Sequence, residues 1–171
     1  TVTDANGCFG IDSMTITVNP LPVVDAGSDV TICEQEETQL TATGALNYTW
    51  TPVTGLSNAA IANPIANPTV TTKYYVTGVD GNGCENIDSV TVFVNPRPVA
   101  LFEADTVCQG AVTTFTDLST VATGSIVGWD WDFGDGVGTS NSASPTYTYG
   151  NHGVFNVQLI VTSDLACSDT F

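Results

Sequence analysis

Basic side chains are almost missing from this chain. Lys73 and Arg97 stand against eighteen acids, and His152 is the sole imidazole, for a net charge of −16. Nucleic acid would be repelled by such a surface, and anionic lipid headgroups are disfavoured for the same reason. The acidity reads as a solvated, self-repelling exterior that keeps an exported protein soluble. No run of 18 apolar residues occurs, which excludes a membrane-spanning helix. The lone imidazole, in Tyr149-Gly150-Asn151-His152-Gly153, has no oriented nucleophile beside it and is read as a turn residue entering a strand. Close CxxC or Cys/His pairs are absent, so zinc is not expected. Helix formers are sparse too, with one Met, one Lys and one Arg, whereas Thr, Val, Gly, Asn and Ser dominate; that composition is β-rich. No catalysis and no cofactor are expected.

What the chain does contain is repetition. Asp4-Ala5-Asn6-Gly7-Cys8, Ile11-Asp12-Ser13 and Val18-Asn19-Pro20-Leu21-Pro22 return 76 residues later (Cys8 to Cys84) as Asp80-Gly81-Asn82-Gly83-Cys84, Ile87-Asp88-Ser89 and Val94-Asn95-Pro96-Arg97-Pro98. A fixed period of this size means modules strung on one chain. Three parts are expected: terminal strands of a preceding, truncated module (1–20), a full sandwich module (21–96), and a second module lacking its last strand (97–171). The 171 residues thus read as a window on a longer array.

Period-2 alternation marks the strands. Ser13–Val18 sets Met14, Ile16 and Val18 on one face, and its copy Ser89–Val94 sets Val90, Val92 and Val94 there. Further strands are expected at Val30–Cys33, Thr38–Ala42, Asn47–Trp50, Lys73–Val79, Val99–Glu103, Thr113–Asp117, Ile126–Phe133 and Val154–Thr162. Short strands at short spacing, with no helical period, indicate an all-β fold of tandem antiparallel β-sandwich modules. Asp80-Gly81-Asn82-Gly83 and Asp135-Gly136 are hairpin-type turns. The alternate prolines at 20 and 22, and at 96 and 98, make short, semi-rigid linkers.

Five cysteines follow the period, early and late in each module. The expected bridges are Cys33–Cys84 and Cys108–Cys167, with Cys8 paired to a cysteine outside the window. Each bridge would close a loop of about 50 to 60 residues, worth roughly 4 kcal/mol in the chain-entropy model, and would imply an oxidising compartment. Trp129, Trp131 and Phe133 alternate, so they share a face as core, or as an exposed platform stacking on sugar rings. Asp25 with Asp29, Glu103 with Asp105, and Asp80 with Asn82 are weak candidates for Ca2+ at joints and turns, although no stretch has the spacing of a twelve-residue calcium loop.

Trp131-Asp132-Phe133-Gly134-Asp135-Gly136, with Pro145–Tyr149 and Gly153–Thr162, resembles the PKD domain. The resemblance spans roughly residues 97 to 171 and implies an immunoglobulin-like sandwich whose motif core holds Trp129, Trp131, Phe133, Asp135 and Gly136. Val24–Cys33, Tyr48–Pro52, Gly55–Ser57 and Thr71–Thr77 resemble a module that accompanies PKD domains in very large Bacteroidota surface proteins, including SprB-type gliding-motility adhesins exported by the type IX system. That implies a non-catalytic stalk or filament at the bacterial cell surface, with neighbouring modules as partners and surface polysaccharide as a further one. It also makes Ser13, Ser89 and Thr106, each in Asp-Ser/Thr-apolar context, weak O-glycosylation sites. A second expectation is a carbohydrate-binding or spacer module of a secreted multidomain hydrolase, which requires a solvent-exposed tryptophan row. A third is assembly by strand donation between chains, residues 1–20 completing residues 97–171.

Overall fold

A computed structural model describes residues 2–171, and strands supply their regular structure throughout. β1 (Val2–Thr3) and β2 (Phe9–Gly10) form an isolated hairpin closed by the Asp4 and Cys8 backbone. The following segment is not the half-buried strand that its alternation suggests: residues 11–20 form no ladder, and Met14 is 82 % exposed. The copy of this segment in the next module buries Val90 and Val92 on a core. Here no sheet lies beneath the apolar face, and alternation alone does not stabilise a strand.

In the first module, β3 (Val30–Cys33), β5 (Asn47–Thr51), β7 (Thr72–Val79) and β8 (Glu85–Asn95) make one sheet in the order β3-β8-β7-β5. β4 (Thr38–Gln39) and β6 (Ile65–Ala66) form a separate antiparallel pair. β4 is shorter than expected, yet Leu40 and Ala42 still donate to Pro64 and Ala62 backbone carbonyls. Strand β3 runs parallel to the second half of β8, with Val30 opposite Val92 and Cys33 opposite Asn95. The core gathers Val24, Ile32, Leu40, Trp50, Tyr74, Val76, Val90 and Val92. At Gly78 a Cβ would run into Val24 and Ala45, so this β7 position holds only hydrogen.

The second module repeats the plan. β11 (Ile126–Asp132), β12 (Thr139–Ser140), β14 (Gln158–Ser163) and β15 (Ser168–Thr170) form a sheet in the order β12-β11-β14-β15. β9 (Phe102–Ala104), β10 (Val112–Asp117) and β13 (Thr146–Thr148) form the other, in the order β13-β10-β9. Its core is aromatic: Phe115, Trp131 and Phe133 are buried with Leu159 and Val161. Each module is an antiparallel-dominated sandwich, as the alternation implies.

One tryptophan pins each sandwich in the same way. Trp50 faces Val76 across β5 and β7, and its Nε1 donates to the Ile61 carbonyl at 2.9 Å. Trp131 faces Leu159 across β11 and β14, and its Nε1 donates to the Ser142 carbonyl at 2.9 Å. Both rings have no exposed surface. Truncating a buried tryptophan removes its contacts, leaves a cavity and orphans a carbonyl. Trp50→Ala and Trp131→Ala should each cost about 3–5 kcal/mol in their own module. Urea unfolding followed by amide hydrogen exchange at β7 for the first module and β14 for the second should show the altered module melting early and the other unmoved.

Candidate functional site: the disulfide-linked joint

The two modules meet at Asn95-Pro96-Arg97-Pro98, where β8 leaves the first sandwich. Pro98 is fully buried and the other three linker residues are half-buried. Cys33, at the end of β3, is bonded to Cys167 in the β14–β15 turn, with Cα atoms 5.7 Å apart and a sequence separation of 134. Around the bridge the polar groups cross the boundary. Asn95 Nδ2 donates to the Leu165 carbonyl at 3.2 Å, while the Asn95 carbonyl accepts from Glu34 N at 2.9 Å. Glu34 Oε2 accepts from Arg97 N at 3.2 Å, and Glu36 Oε2 from Cys33 N at 3.0 Å. The Arg97 guanidinium lies 3.9 Å from Glu36, an exposed pair that contributes little by itself.

This pairing replaces both bridges expected from the cysteine period. Cys33–Cys84 and Cys108–Cys167 do not form; Cys8, Cys84 and Cys108 are free thiols. The reason is the length and direction of β8. Cys84 immediately precedes this eleven-residue strand, and Cys33 sits opposite its last residue. At about 3.3 Å per residue the two lie some 35 Å apart, against roughly 7 Å allowed between bridged Cα atoms. In the second module Cys167 lies past Ser163, the last residue of β14. Cys108 lies beyond the other end, where Gln109 donates to the Gly150 carbonyl. Early and late cysteines therefore sit at opposite poles of each module and meet only across a joint. The eleven-residue extended run between Cys84 and Asn95 carried that signal in the sequence.

The residues of the aromatic motif have structural work. Trp131 and Phe133 are buried and Trp129 is half-buried, its Nε1 donating to Asp117 at 2.6 Å. The aromatic row faces inward, so an exposed tryptophan platform does not exist among the described residues. Asp135 Oδ1 accepts from Val137 N and Gly138 N, and its Oδ2 accepts from the Tyr147 hydroxyl at 2.6 Å. Gly134 and Gly136 both hold positive φ in this turn, and a Cβ at Gly134 would strike the Asn156 backbone.

The calcium candidates are not brought together. Asp25 accepts from Gly27 N, Asp29 from Thr91 N, and Asp80 from Asn82 N and Cys84 N. Glu103 and Asp105 are exposed, and no metal-holding cluster of acidic, His or Cys side chains occurs among the described residues. Ser13 and Thr106 are exposed, whereas Ser89 is half-buried opposite Tyr75 within β8. His152 is exposed on its turn.

Residues 95–170 match the family model of the PKD domain. The chain is similar to the PKD1 domain of the Vibrio cholerae metalloprotease PrtV, at 40 % identity over 44 % of this chain and 89 % of that one, with a TM-score of 0.40. It is also similar to the PKD1 domain of Vibrio anguillarum Epp, at 34 % identity over 45 % of this chain and 88 % of that one, TM-score 0.42. Across both modules, the N-terminal eight immunoglobulin domains of Down Syndrome Cell Adhesion Molecule align with 88 % of this chain and 26 % of theirs, at 16 % identity and a TM-score of 0.58; that likeness is one of fold. No curated protein matches the chain.

The Tyr147 hydrogen bond, followed by those from Gly138 N and Val137 N, holds the Asp135 carboxyl below its ordinary value of 3.8. Because the folded value lies below the unfolded one, the ionised turn stabilises the second module at neutral pH and loses that contribution as pH falls below the ordinary carboxylate range. Asp135→Asn should flatten the acid limb of the second module's thermal stability and leave the first module's unchanged. An unchanged acid limb, followed by module-resolved scanning from neutral to strongly acidic pH, would remove Asp135 from that role.

Proposed function

We propose, from the premise that residues 95–170 belong to the PKD domain family, that this chain is a repeat segment of a long extracellular filament or adhesin stalk on a bacterial surface. At the coarser level it is a PKD/Ig-like module of the non-catalytic structural or carbohydrate-binding-like kind, carrying one disulfide. The observation that carries the finer reading is the joint: the bridge links two successive modules instead of closing either one. A bridge placed there does for orientation what an internal bridge does for stability. It supports export as well, since disulfides persist in oxidising compartments. The sequence resemblance adds the gliding-adhesin setting of Bacteroidota and neighbouring modules of the same array as partners.

One observation favours a polysaccharide partner. Tyr75 and Phe93 are the half-exposed aromatics of the β7–β8 outer face, and Lys73 Nζ stands 5.4 Å from the Tyr75 ring. Stacking there would not require the buried tryptophans. Titration with bacterial surface polysaccharides decides it: binding that is weakened by Tyr75→Ala supports a sugar-binding face, and no binding leaves the stalk reading alone.

For the stalk, the chain should be compared oxidised and reduced by small-angle scattering and amide hydrogen exchange. Reduction, or Cys33→Ser, should widen the distribution of inter-module angles. Protection should fall at Glu34 and Arg97, whose N–H groups bond at the joint, while core amides of β7 and β14 keep theirs. Loss of core protection on reduction would instead make the bridge a folding staple and defeat the stalk mechanism.

A further inference from the structure

The completed bridge has two dissimilar halves, and each recurs. The hairpin half is a cysteine four residues after a side-chain oxygen that caps its own N–H. Cys167 N donates to Ser163 Oγ at 3.3 Å, with Ser163 N returning to the Cys167 carbonyl at 2.8 Å. Cys84 N donates to Asp80 Oδ1 at 2.9 Å and Asp80 N returns at 3.0 Å; Cys8 N donates to Asp4 Oδ1 at 2.9 Å and Asp4 N returns at 2.9 Å. The other half, called strand-end after Cys33 although Cys108 lies in the β9–β10 connection, is a cysteine whose carbonyl closes a tight turn. Glu36 N donates to the Cys33 carbonyl at 3.0 Å, and Ala111 N to the Cys108 carbonyl at 3.0 Å.

Position agrees with local shape. The Cys84 hairpin sits at the N-terminal pole of its module, where Asn86 Nδ2 donates to the Pro22 carbonyl. The Cys167 hairpin sits at the equivalent pole of the second module, against Asn95 and the linker. Cys108 occupies the far pole of the second module, as Cys33 does in the first. Cys8 and Cys108 are exposed and Cys84 is partly so. The linker repeats in register as well, with Asn19-Pro20-Leu21-Pro22 ahead of the Cys84 pole and Asn95-Pro96-Arg97-Pro98 ahead of the Cys167 pole.

We propose that Cys84 and Cys108 are the two unjoined halves of this same inter-module bridge. Cys108 takes a hairpin cysteine, and Cys84 takes a strand-end cysteine, from further modules of this kind; like never pairs with like, and no module closes on itself. Cys8 follows the hairpin rule. The inference rests on the tandem-module reading and deepens it, because every joint of the array becomes a double connection, one backbone and one disulfide.

Formation needs an oxidant of the small-disulfide class. The Cys108 thiolate attacks the oxidant's S–S bond, releasing one reduced thiol and leaving a mixed disulfide. The hairpin thiolate then displaces the second reduced thiol. Two protein thiols lose two protons and two electrons, and the oxidant's two sulfurs take them up.

The test uses the 171-residue chain as both partners. It is oxidised at high protein concentration in a glutathione couple, digested without reduction, and its cross-links are quantified by mass spectrometry. The result expected is Cys33–Cys167 within each chain, and Cys108 joined between chains to Cys84 or Cys8. Those unlike links should exceed Cys108–Cys108 and Cys84–Cys84 by roughly tenfold, a preference of about 1.4 kcal/mol. The preference should vanish in denaturant, where the joint surfaces are gone. Comparable yields of like and unlike links in the folded chain would overturn the proposal, as would failure to form unlike links or any internal Cys33–Cys84 or Cys108–Cys167 bridge. Cys33→Ser provides a second arm: the freed Cys167 should join the set that captures Cys108 of another copy, and an internal Cys108–Cys167 bond would overturn the rule. Pairing is read here without any measure of flexibility or adhesion, so its failure is distinguishable from failure of the stalk reading.

Discussion

Strand β8 runs the whole length of the first module, from the Cys84 turn to the Asn95 linker, and most of what is distinctive in the molecule depends on that reach. Glu85 to Val92 pair antiparallel with β7 along the hairpin, and Val92 to Asn95 pair with the parallel β3, so the partners change over at Val92. Val90 and Val92 anchor it to the core, so its ends cannot slide without exposing them. Fixing the strand fixes which cysteine stands at which pole. It also brings Cys33 beside the exit of the chain, where a second module must begin. The covalent joint is thus a consequence of sheet register before it is a consequence of cysteine chemistry.

The same economy explains the acidity. The aspartates are largely occupied in holding backbone N–H groups at turns and boundaries: Asp80 at the first module's hairpin, Asp135 in the second module's motif, Asp88 on Ala26 and Asp169 on Ala100. A carboxylate accepting from backbone N–H groups makes a charge-assisted bond stronger than a neutral one. In a small β domain rich in turns, many such positions arise, and each adds a negative charge that need not serve a ligand. Of the two cations, Arg97 lies at the joint between Glu34 and Glu36.

The sandwich class was legible in the sequence because alternation and turn chemistry report on local geometry, and Val30–Cys33, Thr113–Asp117 and β7 fell where they should. The inward aromatic row at 129, 131 and 133 was legible for the same reason. Two readings went wrong where local pattern had to answer a question about distance. Ser13–Val18 has the alternation of its copy in β8, but a strand needs a neighbour and a core, which its own residues do not supply. The bridges were assigned by counting cysteines within a period, and counting carries no information about which pole a strand end occupies. Val154–Val157 shows a milder version: apolar residues lead into β14, but the ladder begins only at Gln158, where β11 offers partners.

A second covalent link changes how a chain of modules carries load. With the backbone alone, tension leaves the first module through β8 and enters the second at Pro98, and the modules swivel about that point. With Cys33 bonded to Cys167, the parallel neighbours β3 and β8 both deliver tension across the boundary, one through sulfur and one through the linker. The two links stand one strand spacing apart, about 4.8 Å, so together they define an axis in place of a point. Bending about that axis remains, while swivelling about the perpendicular directions must distort either the bridge or the ladder between Cys33 and Asn95. The cross-boundary hydrogen bonds of Asn95, Glu34 and Arg97 oppose the bending that is left. Together the bridge and these hydrogen bonds hold the two modules in one relative orientation, which is what the proposed stalk would require of each joint.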